Sequence, residues 1–311
     1  MLQKNPACRV FFGLTDIVSG LSGVLCVAIN DLKTFQRPLI MGILNMTPDS
    51  FSDGGDYYSY DDAIRHAGGM LKEGADIIDV GGESTRPGSK TVPTAEQLRR
   101  IMPVIQGLNE LAKNHEGNRS PFAISLDTQS SGVAEEGLNS GVSIINDVSA
   151  GCSDFRMFSV VAHFDAHIVL MHMQGTPETM QVNPSYQNVT EEVTDFLCRR
   201  IDAAISAGIK ANRIILDPGI GFGKSRDHNL VLLANLDRIV SLGYPVVLGT
   251  SRKRFMGSLM KVEHPSELLG ATAATTALGV AAGVRIFRVH DVKANRQAAD
   301  ISLAISEKKH H

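Results

Sequence analysis

Cysteine is scarce in this sequence of 311 residues, which contains four cysteines at scattered positions. They are Cys8, Cys26, Cys152 and Cys198, and no two of them form a C-x-x-C pair or a spacing typical of a zinc site. This pattern indicates reduced, inert thiols rather than a redox or metal centre. We therefore expect a cytoplasmic protein.

The chain also lacks an excess of charge of either sign. Its formal net charge is −3 at pH 7, and the 20% of residues that are charged are dispersed along the sequence. Without a basic stripe there is no electrostatic footprint for nucleic acid, so we expect neither a nucleic-acid nor a membrane partner. The 43% of hydrophobic residues are enough for the core of an ordinary globular protein.

A continuous apolar stretch suited to crossing a membrane is missing too, although two segments come near that length. Residues 10–29 are apolar but contain an aspartate and several glycines. We interpret residues 1–36 as an N-terminal extension of unclear role or an extra β-hairpin, with a targeting segment as the second alternative. Residues 266–282 are rich in alanine, and their threonines and glycines favour a helix packed on a protein core.

A nucleotide-binding loop is not present either. The segment Gly219-Ile-Gly-Phe-Gly-Lys-Ser is rich in glycine, but Pro218 occupies a position at which the P-loop pattern requires glycine. The G-x-G-x-x-G pattern fails in the same segment. We therefore interpret it as a connecting loop of the fold.

Eight short apolar runs are what the sequence does contain, and each ends on polar groups that a buried strand does not ordinarily carry. Apolar parallel strands with polar groups at one rim are typical of a TIM barrel, whose active sites lie at the carboxyl ends of the strands. The sequence therefore predicts an α/β fold with one (β/α)8 barrel domain at residues 37–311. A doubly wound sheet is the alternative, but it rarely runs to eight parallel units. The polar groups are Asn45, Thr85 with Arg86, Asp127, Asn146, His172, Asp217, Lys253, and Arg288 with His290.

Strand and helix signals alternate along the predicted barrel domain. Thr94, followed by Gln97, predicts a capping box at the start of the second helix. The loop MTPDSFSDGG after the first strand is long for a barrel connection, so we predict that it is a mobile lid. The strands are predicted at residues 38–45, 76–81, 122–127, 143–146, 167–172, 213–217, 245–249 and 285–289. The helices are predicted at residues 60–73, 94–114, up to 138, near 154–164, 190–207, 227–242, 266–282 and from 292 onward.

Cations gather after strands seven and eight, where barrels commonly bind phosphate. The two segments are Ser251-Arg252-Lys253-Arg254 and Arg288-Val289-His290. Lys253 and Arg288 follow apolar strands directly, so we predict that they point into the barrel mouth. Arg252 and Arg254 fit surface charge equally well. The cluster as a whole favours an anionic substrate.

Asp127, Asn146 and Asp217 form a second set at the ends of strands three, four and six. Each side chain could merely cap the helix that follows it. Together with Lys253, they suit a flat nitrogen heterocycle, because carboxylates accept from ring N–H groups while amide and ammonium groups satisfy its carbonyl. His172 is interpreted as a core or supporting histidine rather than a catalytic one.

The segments around these residues resemble the dihydropteroate synthase family. They are MGILNMTPDSFSDGG, IIDVGGESTRPGS, ISLDT, IINDVS, LMHMQGTP, ILDPGIGFGK, GTSRKRF and RVHDV, in the order of the family. The resemblance runs from about Pro38 to the terminal helix and leaves out the first 36 residues. Two of the segments are long and idiosyncratic, so chance agreement is not a reasonable explanation.

The resemblance implies condensation of 6-hydroxymethyl-7,8-dihydropterin diphosphate with p-aminobenzoate, giving 7,8-dihydropteroate and diphosphate. It implies a Mg²⁺ ion at Asn45 and a homodimer. It further implies that Asp127, Lys253, Arg288 and His290 carry the catalysis. By position it assigns the pterin to Asp127, Asn146, Asp217 and Lys253, and the diphosphate to Asn45, Arg288 and His290. It assigns p-aminobenzoate to Thr85, Arg86, Pro87, Phe222 and Ser251.

Two rival functions use the same kind of barrel. A methyltetrahydrofolate-dependent methyltransferase also places acidic and amide groups at strand ends, but it has no evident need for the cations after strands seven and eight. A non-catalytic pterin-binding paralogue would be expected to lose residues such as Thr85, Arg86, Phe222 or Arg288, all of which are present.

Overall fold

The computed structural model of the protein describes residues 36–47, 60–114 and 122–308. The predicted extension therefore lies outside the described residues, apart from Gln36, and so does most of the predicted lid loop. The division of the chain into an extension and a barrel domain stays a prediction.

Eight parallel strands make up the sheet of the described residues, and consecutive strands are neighbours. β1 also pairs with β8, which joins the beginning of the sheet to its end. Between β6 and β7 the contact is a bridge from Leu216 to Val246, where Leu216 N donates to Pro245 O at 2.9 Å. The strands are β1 (Leu39–Asn45), β2 (Ile77–Gly81), β3 (Ala123–Asp127), β4 (Ile144–Asp147), β5 (His167–Met171), β6 (Ile214–Asp217), β7 (Val247–Leu248) and β8 (Ile286–Val289).

This circular pairing is that of a (β/α)8 barrel and not of a doubly wound sheet, which would keep two free edges. Helices follow the strands along the chain. They are α1 (Tyr60–Lys72), α2 (Thr94–Asn114), α3 (Ser131–Asn139), α4 (Met157–His163), α5 (Val189–Ser206), α6 (Arg226–Ala234), α7 (Leu236–Val240), α8 (Arg254–Met260), α9 (Leu269–Ala281) and α10 (Val292–Glu307). Short 3₁₀ turns lie at Ala211–Arg213 and Pro265–Leu268.

Two helix predictions were wrong in detail. The helix predicted at residues 227–242 is broken at Asn235, whose backbone leaves the helical region at φ −121° and ψ 30°. The Asn235 side chain donates to Val231 O at 2.8 Å, so its amide competes for the carbonyls of the preceding turn. In addition, α8 was not predicted, and the alanine-rich helix begins at Leu269 rather than at residue 266.

The predicted capping box at Thr94 was also wrong. Thr94 is already the first residue of α2, and its hydroxyl lies 3.3 Å from Ser130 Oγ. The Gln97 side chain reaches back to the loop instead, where its Nε2 donates to Val92 O at 2.9 Å. The pair therefore stabilises contacts between loops rather than the end of its own helix.

The barrel interior begins with an apolar layer to which every strand contributes. Its members form a hydrophobic cluster separate from the one between strands and helices: Leu39, Met41, Ile77, Ala123, Ile144, Val169, Ile215, Val247 and Ile286. Because side chains alternate along a strand, the residues two positions further on point into the same interior. Those residues are polar on several strands, which places the polar groups inside the barrel at its carboxyl end.

None of the helices formed by residues 60–114 and 122–308 combines the length and apolar character that a membrane span requires. The alanine-rich helix α9 has 13 residues, and Thr272, Thr276 and Gly279 on it are buried. Thr276 Oγ1 donates to Asn295 Oδ1 of α10 at 2.7 Å. This contact packs α9 against α10, and Gly279 faces Phe287 of β8, so the helix lies on the protein core as expected from its threonines and glycines.

Candidate active site

Asp79 lies at the centre of a buried polar cluster inside the barrel. It is fully buried in the middle of β2, and three side chains from other strands donate to its carboxylate. Ser125 Oγ donates to Oδ1 at 2.5 Å. Arg288 Nε and Asn146 Nδ2 donate to Oδ2 at 2.7 and 3.2 Å. Asp79 therefore connects β2 with β3, β4 and β8 directly beneath the cavity described below.

Arg288 bridges Asp79 to a second carboxylate. Its Nη2 donates to Asp127 Oδ2 at 2.7 Å. Burial raises the pKa of Asp127 to about 7, and the Arg288 guanidinium opposes this shift. Burial also lowers the pKa of Arg288, but the carboxylates of Asp79 and Asp127 outweigh it and raise the value above its ordinary range.

The other oxygen of Asp127 is buried and has no hydrogen-bond partner among the described residues. Buried polar atoms are nearly always paired, so an unpaired acceptor at the bottom of a cavity is a place where a ligand N–H can bind. The Gly81 backbone faces this carboxylate, since a Cβ on Gly81 would lie 3.5 Å from Asp127 Cβ and 3.4 Å from Asn45 Oδ1. The absence of a side chain at Gly81 leaves the space between Asn45 and Asp127 open.

Asp217 and Lys253 form the opposite side of the same pocket. Asp217 Oδ1 accepts from Gly219 N at 2.6 Å, and burial raises the pKa of this carboxyl. Lys253 Nζ stands 4.1 Å from the centroid of the Phe222 ring, in a cation–π contact. Burial, followed by the charge of Arg288, lowers the pKa of Lys253 to about 8. Its ammonium group has no hydrogen-bond acceptor in the described part of the chain and is available to a ligand.

Ser251 and His290 connect the loops that follow β7 and β8. Ser251 Oγ accepts from His290 N at 3.1 Å and lies 2.9 Å from His290 Nδ1. Burial and then the charge of Arg252 lower the pKa of His290 to about 3, so the ring is neutral at pH 7. Since Oγ already accepts one N–H, its own proton is free to be donated to Nδ1. In the tautomer in which the Ser251 hydroxyl donates to Nδ1, Nε2 carries the proton and is a neutral donor for an anion.

Arg252 is not free to bind an anionic substrate, because its guanidinium is held in an ion pair. Its Nε and Nη2 donate to both oxygens of Asp291, at 3.1 and 2.7 Å. The Arg252 backbone has a φ of +57°, in the left-handed region that non-glycine residues rarely adopt. The ion pair therefore fixes the loop after β7 against the loop after β8. Arg254 is exposed at the start of α8 and lines the mouth.

All the site residues predicted from the sequence line the same cavity, which has a volume of about 1270 Å³ at the carboxyl ends of the strands. This volume is enough for two small molecules side by side. The polar residues Asp127, Asn146 and Asp217 are buried at its bottom, whereas Arg86 and Pro87 are exposed at its rim. The predicted residues in the lining are Asn45, Thr85, Arg86, Pro87, Asp127, Asn146, Asp217, Phe222, Ser251, Lys253, Arg288 and His290.

Two residues of the site were missed in the sequence. Asp79 stands in mid-strand between Val80 and Ile78, and the prediction considered only the groups at strand ends. It lies two residues from Ile77, on the strand face opposite to Ile78 and Val80, and this alternation was the signal that could have placed it in the barrel interior. Lys224, at the end of the glycine-rich segment, is buried with 2% of its surface exposed and also lines the cavity.

His172 lies beside Lys224 rather than in the cavity wall. It is buried, and its Nδ1 is 2.9 Å from Lys224 Nζ. Its ring packs edge-on against Phe196 at a centroid distance of 4.9 Å. This position is that of a supporting histidine.

Comparison with known proteins identifies the class to which this fold and site belong. The family model described as "Pterin binding enzyme" matches residues 41–290. The chain is 46% identical over 269 residues to a dihydropteroate synthase of Streptococcus pyogenes, a match that covers 86% of this chain and 94% of the relative.

Solved structures agree with these matches. A dihydropteroate synthase from Clostridium difficile, crystallised in the presence of pteroic acid, has a TM-score of 0.79 and 46% identity over 87% of this chain and 97% of its own. The dihydropteroate synthase from Xanthomonas albilineans in complex with 7,8-dihydropteroate has a TM-score of 0.76 and 38% identity over 87% and 94%. The chain belongs to the pterin-binding enzyme family, and within it to the dihydropteroate synthases.

Proposed function

We propose that this protein condenses 6-hydroxymethyl-7,8-dihydropterin diphosphate with p-aminobenzoate to give 7,8-dihydropteroate and diphosphate. The observation that carries the proposal is the division of one cavity into two chemical parts. A buried acceptor oxygen without a partner among the described residues, Asp127 Oδ1, lies at the bottom, and hydrogen-bond donors and cations lie nearer the mouth. A pterin with an anionic leaving group has the complementary pattern.

The pterin ring is assigned to Asp127, Asn146, Asp217 and Lys253. A carboxylate accepts from the ring N–H and from the exocyclic amine, and both Asp127 and Asp217 have an oxygen that no described residue occupies. The Lys253 ammonium donates to the ring carbonyl or a ring nitrogen, and Phe222 supports it from the other side. The rigid barrel strands hold these groups before the ligand arrives, which reduces the entropy lost on binding.

The diphosphate is assigned to Asn45 on β1, Arg288 on β8 and His290 directly after β8. Arg288 uses Nε and Nη2 for Asp79 and Asp127, so Nη1 remains for a phosphate oxygen. His290 contributes Nε2–H as a neutral donor. These groups stabilise the charge that grows on the leaving group as its bond to carbon breaks.

p-Aminobenzoate is assigned to the mouth, at Thr85, Arg86, Pro87, Phe222 and Ser251. Arg86 is exposed, and its guanidinium has no partner among the described residues, so it is free to bind the carboxylate of this substrate. The aryl amine then points inward to the carbon that bears the diphosphate.

A Mg²⁺ ion bound with the diphosphate fits these residues. Among the described residues no group of three or more His, Cys, Asp or Glu side chains could hold a metal by itself. Mg²⁺ is commonly held by one or two protein oxygens together with substrate phosphates and water. Asn45 Oδ1, which accepts no hydrogen bond from the described residues, would be such a ligand. When bound, the ion supplies charge neutralisation to the diphosphate oxygens.

The reaction exchanges one bond at the pterin methylene carbon for another. The C–O bond to diphosphate breaks, and its electron pair leaves with the diphosphate. The electron-rich dihydropterin ring delocalises the positive charge, which the carboxylates of Asp127 and Asp217 stabilise. The amine lone pair of p-aminobenzoate then forms the C–N bond, and one amine proton passes to solvent water. A nucleophilic side chain is not required.

Diphosphate release from the dihydropterin substrate tests the proposal, measured with and without p-aminobenzoate and Mg²⁺. We expect release to require both, with 7,8-dihydropteroate formed in equal amount. Release that is independent of p-aminobenzoate would contradict the proposed condensation, and pterin binding without turnover would identify a binding paralogue.

We also propose a homodimer formed through α9 and α10. Leu278 of α9 and Ile301 and Ile305 of α10 are 65%, 60% and 58% exposed, and exposed apolar side chains on adjacent helices favour a protein interface. Sedimentation equilibrium of the parent and of Leu278→Glu tests this, and a monomeric parent would refute it.

A cytoplasmic location is proposed from the thiols. Cys152 is a free cysteine in the described part of the chain, which is typical of a reducing compartment. Fractionation with antibody detection tests this proposal.

A further inference from the structure

Lys224 is a buried lysine that the reaction itself does not use. It is 2% exposed, and its ammonium group donates to three backbone carbonyls. These are Gly219 O and Phe222 O, both at 2.9 Å, and His172 O at 3.2 Å. His172 Nδ1, at 2.9 Å, is a fourth acceptor around the same nitrogen. A buried ammonium surrounded by carbonyls is satisfied only while the loop that supplies them keeps its shape.

The loop after β6, residues 218–224, lies flush against the backbone that follows β5. Gly219 has a φ of +67°, and a Cβ on it would lie 1.8 Å from His172 O. Gly223 has a φ of +59°, and a Cβ on it would lie 2.4 Å from Gln174 O. Glycine is therefore required at both positions for this close approach. Lys224 lies where the two segments meet, and its ammonium group binds carbonyls from both.

Two groups that face the substrate depend on this loop. The Gly219 N–H holds Asp217 Oδ1 at 2.6 Å, and the Phe222 ring lies 4.1 Å from Lys253 Nζ. The carbonyls bound by Lys224 belong to these same two residues, Gly219 and Phe222. The same two residues therefore make the contacts at the substrate pocket and accept hydrogen bonds from the buried ammonium.

We propose that Lys224, with His172 as its partner, is the positioning residue for two groups of the site. It holds Asp217 in the geometry in which this carboxylate binds the pterin, and it holds Phe222 in the geometry in which its ring supports Lys253. The proposal rests on the function given above and adds a residue that acts through the loop rather than on the substrate. His172 contributes a carbonyl and an unprotonated Nδ1, which accepts from the ammonium because an ammonium group can only donate.

Replacement of the ammonium tests the proposal through the loop and the ligand together. Lys224→Met keeps an unbranched side chain that is one atom shorter and removes every donor. Burial lowers the pKa of Lys224 to about 7, so the comparison is made at about pH 6, where the group is an ammonium. We expect amide hydrogen exchange of residues 219–224 to become about 10- to 100-fold faster, because charge-assisted hydrogen bonds are lost, while β3 exchanges as in the parent. The affinity for 6-hydroxymethyl-7,8-dihydropterin, measured by calorimetry, should fall by a similar factor.

A matched control and a rescue separate positioning from general stability. Lys210→Met removes an exposed lysine that is paired with Asp165 at 3.1 Å, and it should change neither measurement. Lys224→Ala leaves a space that added ethylammonium can enter, and we expect ethylammonium, but not ethanol, to restore pterin affinity. If Lys224→Met fails to fold, His172→Leu can replace it, because it removes one acceptor of the ammonium. We expect the same changes in local hydrogen exchange and pterin affinity, but smaller.

Several outcomes would overturn the proposal. One is a folded Lys224→Met whose exchange at residues 219–224 and pterin affinity stay within about twofold of the parent. Another is faster exchange that is uniform over the barrel, which would make Lys224 a general stability element. A parent protein that does not bind the pterin would refute the proposed function instead, while the exchange comparison would still report on the loop.

Discussion

Arg288 donates from Nη2 to Asp127 Oδ2 at 2.7 Å and leaves Asp127 Oδ1 buried without a partner in the described residues. The guanidinium keeps one oxygen in place, so the carboxylate cannot turn to pair both oxygens with the protein. The orientation of Asp127 is therefore fixed before the substrate binds, and Oδ1 is directed to a ligand.

Asp127→Asn should weaken pterin binding strongly. The amide replaces an acceptor oxygen by a donor or presents an uncharged acceptor, so the charge-assisted hydrogen bond to the ring N–H is lost. A hydrogen bond to a charged group contributes about 1.5–3 kcal/mol, which corresponds to a loss of affinity of about 10- to 100-fold. Titration calorimetry with 6-hydroxymethyl-7,8-dihydropterin measures it. Asp202→Asn, on the exposed side of α5, is the control, and equal affinities of the three proteins would contradict the role of Asp127.

Asp79→Asn should lower the stability of the barrel as well as its affinity. The carboxylate accepts from Ser125, Asn146 and Arg288, and its removal leaves the buried Arg288 charge with one carboxylate instead of two. Breaking a buried ion pair costs about 3–5 kcal/mol. Urea unfolding should therefore give a decrease of about 3 kcal/mol in the free energy of unfolding.

Asp62→Asn provides the comparison for this substitution. It removes an exposed pair with Arg65 on α1 and should cost less than about 1 kcal/mol. A loss for Asp79→Asn no larger than that of Asp62→Asn would show that Asp79 does not hold the strands together.

The site residues that could be predicted from the sequence are those at the ends of strands. Asp127, Asn146 and Asp217 each close an apolar run, and the carboxyl ends of parallel strands meet at one rim whatever the details of the loops. Asp79 could not be found in this way, because a mid-strand carboxylate is recognised only when its register with Ser125 is known. That register depends on the pairing of β2 with β3 and not on either strand alone.

The features of the site that the sequence could not predict lie in the loops. Lys224 looks like the end of a glycine-rich connection, and its burial follows only from the positive φ angles of Gly219 and Gly223. Similarly, Arg252 could have been a substrate ligand or a surface charge, and its pairing with Asp291 depends on how two loops pack. The seven-residue helix α8 is too short to produce a clear period in the sequence.

Lys253 should make pterin binding depend on pH in the alkaline range. Burial, followed by Arg288, lowers its pKa to about 8, so the free protein loses the ammonium donor as pH rises through this value. Because the ligand binds the protonated form, the contribution of Lys253 to affinity should be constant below about pH 8 and decrease above it by up to about tenfold per pH unit. Lys253→Met should bind more weakly and without this decrease. A decrease of the same size in Lys253→Met would assign the pH dependence to another group.

His172 should make the folded protein less stable in acid. Burial and then the charge of Lys224 lower the pKa of His172 to about 3 from the ordinary value of 6.5. Below pH 6.5 the unfolded chain therefore binds a proton that the folded chain does not, and the stability present at neutral pH is lost as pH falls toward 3. The slope approaches about 1.4 kcal/mol per pH unit, and His290 adds a second contribution of the same sign.

His172→Gln keeps an acceptor for Lys224 but cannot titrate, so its stability should fall less steeply between about pH 7 and about pH 5. Urea unfolding across this range measures the slopes, with His163→Gln on the exposed side of α4 as the control. If the slope of His172→Gln equals that of the parent, His172 takes up its proton in the folded state, and its Nδ1 cannot then be the acceptor of the Lys224 ammonium.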